Sequence, residues 1–191
     1  NQTHSMRNKL ILAALTTAGS LALATSSHGA LLAWYTFDGN GNDFSTSAPA
    51  AVLNGPATFA GGPAPAVSGN LSSLDLGAVG NGASATVPAG THWDSAFINN
   101  AMAVSFWQLN TQIGNSSAFW VHSPAAGAND RGFQAHTPWS NGTVFFDQSG
   151  CCNGPQRLTV GGVVTVNQWQ HLVFQRDNKG NREIWIDGVL V

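Results

Sequence analysis

Residues 169–191 read WQHLVFQRDNKGNREIWIDGVLV, and this stretch decides the fold. Leu172 and Phe174 alternate with His171 and Val173. Ile184 and Ile186 alternate with Glu183, Trp185 and Asp187. A period of two is the pattern of a strand with one buried face. Between the two runs, Asp177-Asn178-Lys179-Gly180-Asn181 carries turn chemistry, with Gly180 where a positive φ is needed. Asp187-Gly188 reads as the next tight turn, leading into Val189-Leu190-Val191. The stretch predicts an antiparallel hairpin and then the start of another.

Working outward, the same texture recurs. Short apolar or alternating runs are separated by Gly, Asn, Pro and Ser clusters. They are Leu31–Phe37, Ala83–Val87, Ala101–Leu109, Ala118–His122, Gly132–His136, Thr143–Asp147, Arg157–Val160, Gln170–Arg176 and Arg182–Asp187, with Leu71–Leu76 the least patterned. Within Ala101–Leu109, Met102, Val104 and Phe106 share one face, and Ser105, Trp107 and Leu109 the other. Helical periodicity is confined to Thr91–Ile98, one turn or two, with Thr91 as cap and Asp94 three residues on. Many short strands joined by turns predict an all-β sandwich or barrel. No repeat or linker divides residues 31–191, which read as one domain. Val191 falls inside a strand pattern and would leave an open sheet edge, so a domain truncated at its C-terminus is expected.

The first thirty residues are of another kind. Arg7 and Lys9 precede the apolar run Leu10–Ala24, and small residues continue to Ala30. This is the layout of a secretory signal peptide, with Asn1–Ser5 as upstream residues, so a secreted or cell-surface location is expected. The alternative is an N-terminal anchor helix, although the run is short for a membrane span and is diluted by Thr16, Thr17, Gly19 and Ser20.

Only 8% of the 191 residues are Asp, Glu, Lys or Arg, against about 25% in ordinary domains. Neutral Asn, Ser and Thr must therefore cover the surface. Seven Lys and Arg spread along the chain give no basic stripe, which argues against nucleic acid as a partner. High apolar content with small net charge excludes charge-driven disorder. Cys151 and Cys152 are adjacent. Neighbouring Cα atoms lie ~3.8 Å apart, below the usual disulfide span. A strained ring, two free thiols or pairing with another chain remain open, and too few ligands lie nearby for zinc.

Three segments together resemble the laminin-G-like, concanavalin A-like jelly-roll modules of exported bacterial proteins. Leu32–Asp43 (LAWYTFDGNGND) is similar to that family's opening strand and polar loop. Ala103–Trp107 (AVSFW) is similar to its central strand. Trp169–Phe174 with Ile184–Val191 is similar to its "W-x-H-V … Y-V-D-G" pair. The resemblance spans Leu32 to Val191, without the closing segment usual in the family. It implies a two-sheet antiparallel jelly-roll sandwich, often with Ca²⁺, and a role in glycan binding or adhesion.

Polar and aromatic clusters supply the candidate sites. Asp38, Asn40, Asn42 and Asp43 crowd one Gly-rich loop, and Ca²⁺ takes 6–8 oxygen ligands of this kind. Asp147 and Asp130 are possible partners by fold position. The alternative is an Asx-rich turn. His136-Thr137-Pro138-Trp139 with Asn141 forms either a ligand-contacting loop or a turn with a packed indole. Trp faces suit the C–H patches of sugars, which makes Trp93, Trp120, Trp139 and Trp185 candidates. Trp34, Trp107 and Trp169 are assigned to packing. The expected ligand-binding set is His136, Trp139, Asn141 and Trp120. Glu183 and Asp187 share a strand face four residues apart, ~13–14 Å, too far for a glycosidase pair. His171 is expected near a sheet edge, satisfying a backbone group. The expectation is a secreted carbohydrate-binding module without catalysis. The alternatives are a glycoside hydrolase or lyase of the same fold, or a ligand-free scaffold module of a larger exported protein.

Overall fold

The computed structural model describes residues 29–60, 71–123, 132–148 and 154–191. The signal-peptide segment up to residue 28, Asp130 and the Cys151-Cys152 pair lie outside the described residues. The chain divides into two units, Asn1–Ala30 and Leu31–Val191, and the strands all belong to the second.

Among the described residues the order of strands is β1 (Val52–Asn54), β2 (Thr58–Ala60), β3 (Ser73–Asp75), β4 (Ser84–Thr86), β5 (Met102–Leu109), β6 (Ser117–Val121), β7 (Phe133–His136), β8 (Val144–Gln148), β9 (Arg157–Val160), β10 (Trp169–Arg176), β11 (Arg182–Ile186) and β12 (Val189–Leu190). A 3₁₀ turn at Thr91–Trp93 and helix α1 (Asp94–Ile98) precede β5. Two four-stranded antiparallel sheets carry the architecture, in orders β12-β11-β10-β5 and β6-β7-β8-β9. Two small sheets, β1-β4 and β2-β3, accompany them.

The alternation read from the sequence sets which face is inside. Leu172, Phe174, Ile184 and Ile186 of one sheet and Phe133, Ala135, Val144 and Phe146 of the other form one buried cluster. Phe174 is its centre. Its ring stacks on Phe106 at 5.9 Å and meets Phe146 edge-on at 5.5 Å and Phe119 at 5.6 Å. These contacts join strands of both sheets, so the molecule is an all-β sandwich with apolar inner faces.

The turns use the expected chemistry. Gly180 has φ +94°, and the Asp177 carboxylate accepts the N–H groups of Lys179 and Asn181. Asp187 and Gly188 have φ of +51° and +80°, as a two-residue I′ hairpin requires.

Several expectations are corrected. Leu31–Phe37 is not a strand and makes only an isolated bridge, Tyr35 to Asp43. The Trp34 N–H goes to the Asp43 carboxylate at 2.6 Å instead of to a neighbouring strand, and Phe37 turns away at φ +54°. Trp34 is 54% exposed and leans on Phe44, so it does not serve the core. Strands β1 and β2 have no counterpart among the sequence runs, because VLN and TFA are too short to show a period. Thr91 caps nothing; Gly90 holds the cap position without a side-chain bond. Asp94 instead accepts the hydroxyl of buried Ser123. His171 sits on β10, which pairs with both β5 and β11, so it is on an inner strand, and its ring partner is a hydroxyl, not a backbone group.

Candidate functional site

The outer face of the β6-β7-β8-β9 sheet is set by register alone. Directly paired residues project from the same face. Trp120 pairs with Gln134, Gln134 with Asp147, and Asp147 with Arg157. One row therefore crosses all four strands. Two residues along, Ser117, His136, Phe145 and Thr159 form the next row, about 7 Å away. Phe146 and Ala135, which alternate with these positions, point into the core.

Charge chemistry fixes the centre of this face. Asp147 is fully buried and is gripped by Arg157 through two bonds of 2.6 Å, from Nε and Nη2. Gln134 Nε2 adds a third bond at 3.0 Å. Burial opposes the ionisation of Asp147, but the bonds from Arg157 and Gln134 and the Arg157 charge outweigh it and hold the carboxyl below its usual range. The Arg157 guanidinium also lies 4.1 Å from the centre of the Phe145 ring, a cation–π distance. His136 Nε2 stands 3.7 Å from Asp147, and its Nδ1 meets the Ser117 hydroxyl at 3.0 Å. Burial lowers the His136 pKa from its ordinary value, Asp147 opposes this, and Arg157 adds to it.

Aromatic surface flanks that centre. The Trp139 ring meets His136 edge-on at 4.8 Å and Phe145 at 6.5 Å. Its loop is tied down at several points. Trp139 N–H donates to Thr143 O, Gly142 N–H to Trp139 O, and Ser116 N–H to Pro138 O. Ser140 N–H donates to Asn115 Oδ1. At the other end of the face, Trp120 on β6 is 66% exposed.

Of the expected ligand-binding residues, the sheet thus gathers His136, Trp139 and Trp120 on one face. Asn141 is exposed, and its Oδ1 accepts the Thr143 N–H at 3.1 Å, so its side chain shapes the turn beside Trp139. Sequence reasoning does not single out Arg157, Phe145 and Gln134. The alternation in Thr143–Asp147 places Phe145 and Asp147 on one face. It carries no information on which residues of other strands lie opposite.

The Asp38–Asp43 loop is built differently. Asp43 accepts five donors: Trp34 N–H and Ser45 N–H on Oδ1, and the Ser45 hydroxyl, Ser47 N–H and Ala48 N–H on Oδ2. A carboxylate offers about four lone-pair sites. Burial would raise the Asp43 pKa; the Ser45 hydroxyl and the backbone N–H groups outweigh it and hold the carboxyl far below the usual range. Asp38 Oδ1 accepts Leu71 N–H, Ser72 N–H and the Ser72 hydroxyl. Asn40 Oδ1 accepts the Asn42 N–H. So arranged, Asp43 does not fit a calcium ligand set. Asp147, the suggested partner, is held by Arg157 instead. Among the described residues no three His, Cys, Asp or Glu gather as a metal site.

A family model of the concanavalin A-like lectin/glucanases superfamily, Laminin_G_3, matches residues 79–191. The chain belongs to this superfamily. No curated protein and no solved structure shows significant similarity to it. The matched range of this lectin/glucanase domain covers β4 to β12 and hence both main sheets, while Leu32–Asp43 lies outside it. Superfamily membership supports a general lectin-like, glycan-binding module. Among the described residues no helix is long and apolar enough to cross a membrane.

Proposed function

We propose that the chain is an exported glycan-recognition module that binds saccharide on the outer face of β6-β7-β8-β9 and performs no chemistry on it. The observation that carries this is the convergence of Trp120, Trp139, His136 and Phe145 on one sheet face. Aromatic faces take the C–H patches of sugar rings, and the exposed hydroxyls of Ser117 and Thr159 at the ends of the His136 row supply hydrogen bonds. Three separate strands and one tied loop hold these groups before any ligand arrives, which lowers the entropic cost of binding.

The carboxylates argue against catalysis. Glycoside hydrolysis commonly needs a pair, ~5–9.5 Å apart. Asp147 is the one acid in the two rows of this face, and Arg157 clamps both of its oxygens. Glu183 and Asp187 belong to the other sheet and to its turn. Export is inferred from the layout of residues 6–30, and adhesion from the module class.

The test is a glycan array probed with the full chain, with and without EDTA, beside a reducing-sugar assay on every glycan bound. Binding in both conditions without release of reducing ends is the expected result. Release of reducing ends would favour the hydrolase alternative, and binding to no glycan would favour the scaffold alternative.

A further inference from the structure

The other sheet also carries an outward aromatic face, which the β6-β7-β8-β9 site does not use. Register sets Trp107 beside His171, and Val173 between Ser105 and Trp185. Leu190 continues the second row. On this face lies a shallow groove, wide open to solvent, of about 290 Å³, lined by His171, Val173, Gln175, Trp185 and Gly188.

Its walls are fixed by hydrogen bonds. Trp185 Nε1 donates to Glu183 Oε2 at 2.9 Å, and Gln175 Nε2 donates to the same oxygen at 2.5 Å. His171 Nε2 lies 2.8 Å from the Ser105 hydroxyl, and its ring tilts against Trp107 at 5.2 Å. Gly188 leaves one end open, because a Cβ there would meet nothing within 4 Å. The floor is apolar, one wall is indole, and the polar groups at the rim are an amide and an imidazole. Two carboxylates adjoin it: Glu183, which accepts from Trp185 and Gln175, and Asp187, which accepts the His171 N–H at 2.8 Å. No Lys or Arg lines the groove. This charge pattern disfavours anionic ligands and accepts hydroxyl donors.

We propose that this groove is a second saccharide site, for a segment of uncharged glycan, and that the two outward faces let one chain cross-link polysaccharide. The cross-linking rests on the binding face of β6-β7-β8-β9; the groove itself does not.

The experiment tracks the indole N–H resonances of the seven tryptophans in the full chain. The probes are cellohexaose, maltohexaose, laminarihexaose, xylohexaose and mannohexaose. A saturable shift of the Trp185 and Trp107 signals with at least one of them is expected. It weakens at least tenfold in Trp185→Ala, read there on Trp107, and in Val173→Phe, which fills the floor without removing the indole, and persists in Trp120→Ala. If no probe moves Trp185, or if the shift survives both groove variants, the second site is overturned. Movement of Trp120 and Trp139 alone would leave the first face standing and remove the groove. Movement of Trp185 alone would do the reverse. Where both respond, the parent polysaccharide should scatter light on mixing with the chain, and either single-face variant should abolish this. No scattering would overturn the cross-linking.

Discussion

Asp43 and Asp147 put the same functional group to two uses. Asp43 folds its own loop by collecting the backbone N–H groups of Ser45, Ser47 and Ala48. Asp43→Asn removes one acceptor oxygen and the charge, and should cost about 1–3 kcal/mol. The folded-state pKa of Asp43 is depressed, so its stabilisation is complete above the ordinary carboxylate pKa of ~3.9 and is lost as pH falls below it. Urea unfolding of both chains across pH 2–7 checks this: the gap should close toward the acid end. The thermal midpoint should be equal in millimolar Ca²⁺ and in EDTA. A midpoint rising with the logarithm of calcium would mean that a site binding the folded state exists. Asp147 is the buried half of an ion pair. Arg157→Met would strand its charge and should cost about 3–5 kcal/mol, whereas substitution at exposed Asn178 should stay within about 0.5 kcal/mol. The first contrast is half legible in the sequence: four Asx residues in one loop announce either a cation or a turn. The five-donor arrangement on Asp43 depends on the path of the backbone, which residue spacing does not encode.

At the scale of strands, legibility tracks length and period. β10 and β11 alternate over many residues, and both the hairpin and its positive-φ glycine stand where the pattern puts them. β5 keeps Met102, Val104 and Phe106 on the side that faces the core. Leu31–Phe37 misleads because apolar content imitates a strand while the Trp34 N–H goes to a side chain. β1 and β2 are silent because three residues hold no period. Pairing beyond the β10-β11 hairpin and the turn after it is invisible, and pairing is what assembles the site: Trp120, Gln134, Asp147 and Arg157 come from four strands. The core makes its own prediction. Phe174 touches aromatic rings from both sheets, so Phe174→Ala should cost about 3–5 kcal/mol. A cost below about 1 kcal/mol in denaturant melts would mean that the two inner faces do not pack against each other through this ring.

The whole molecule is poor in charge, with 8% of residues ionisable as Asp, Glu, Lys or Arg. Two of these, Asp147 and Arg157, neutralise each other at the centre of the proposed binding face. Recognition there must rest on aromatic surface and neutral hydrogen bonds, so affinity should change little between low and high salt. The most direct test is isothermal titration of one array-selected glycan into the full chain, Trp120→Ala and Trp139→Ala, with folding verified by denaturant melts. Truncating an aromatic anchor is expected to cost about 2 kcal/mol, roughly 30-fold in Kd, at unchanged stability for exposed Trp120. Wild-type affinity in both folded variants would contradict binding on this face.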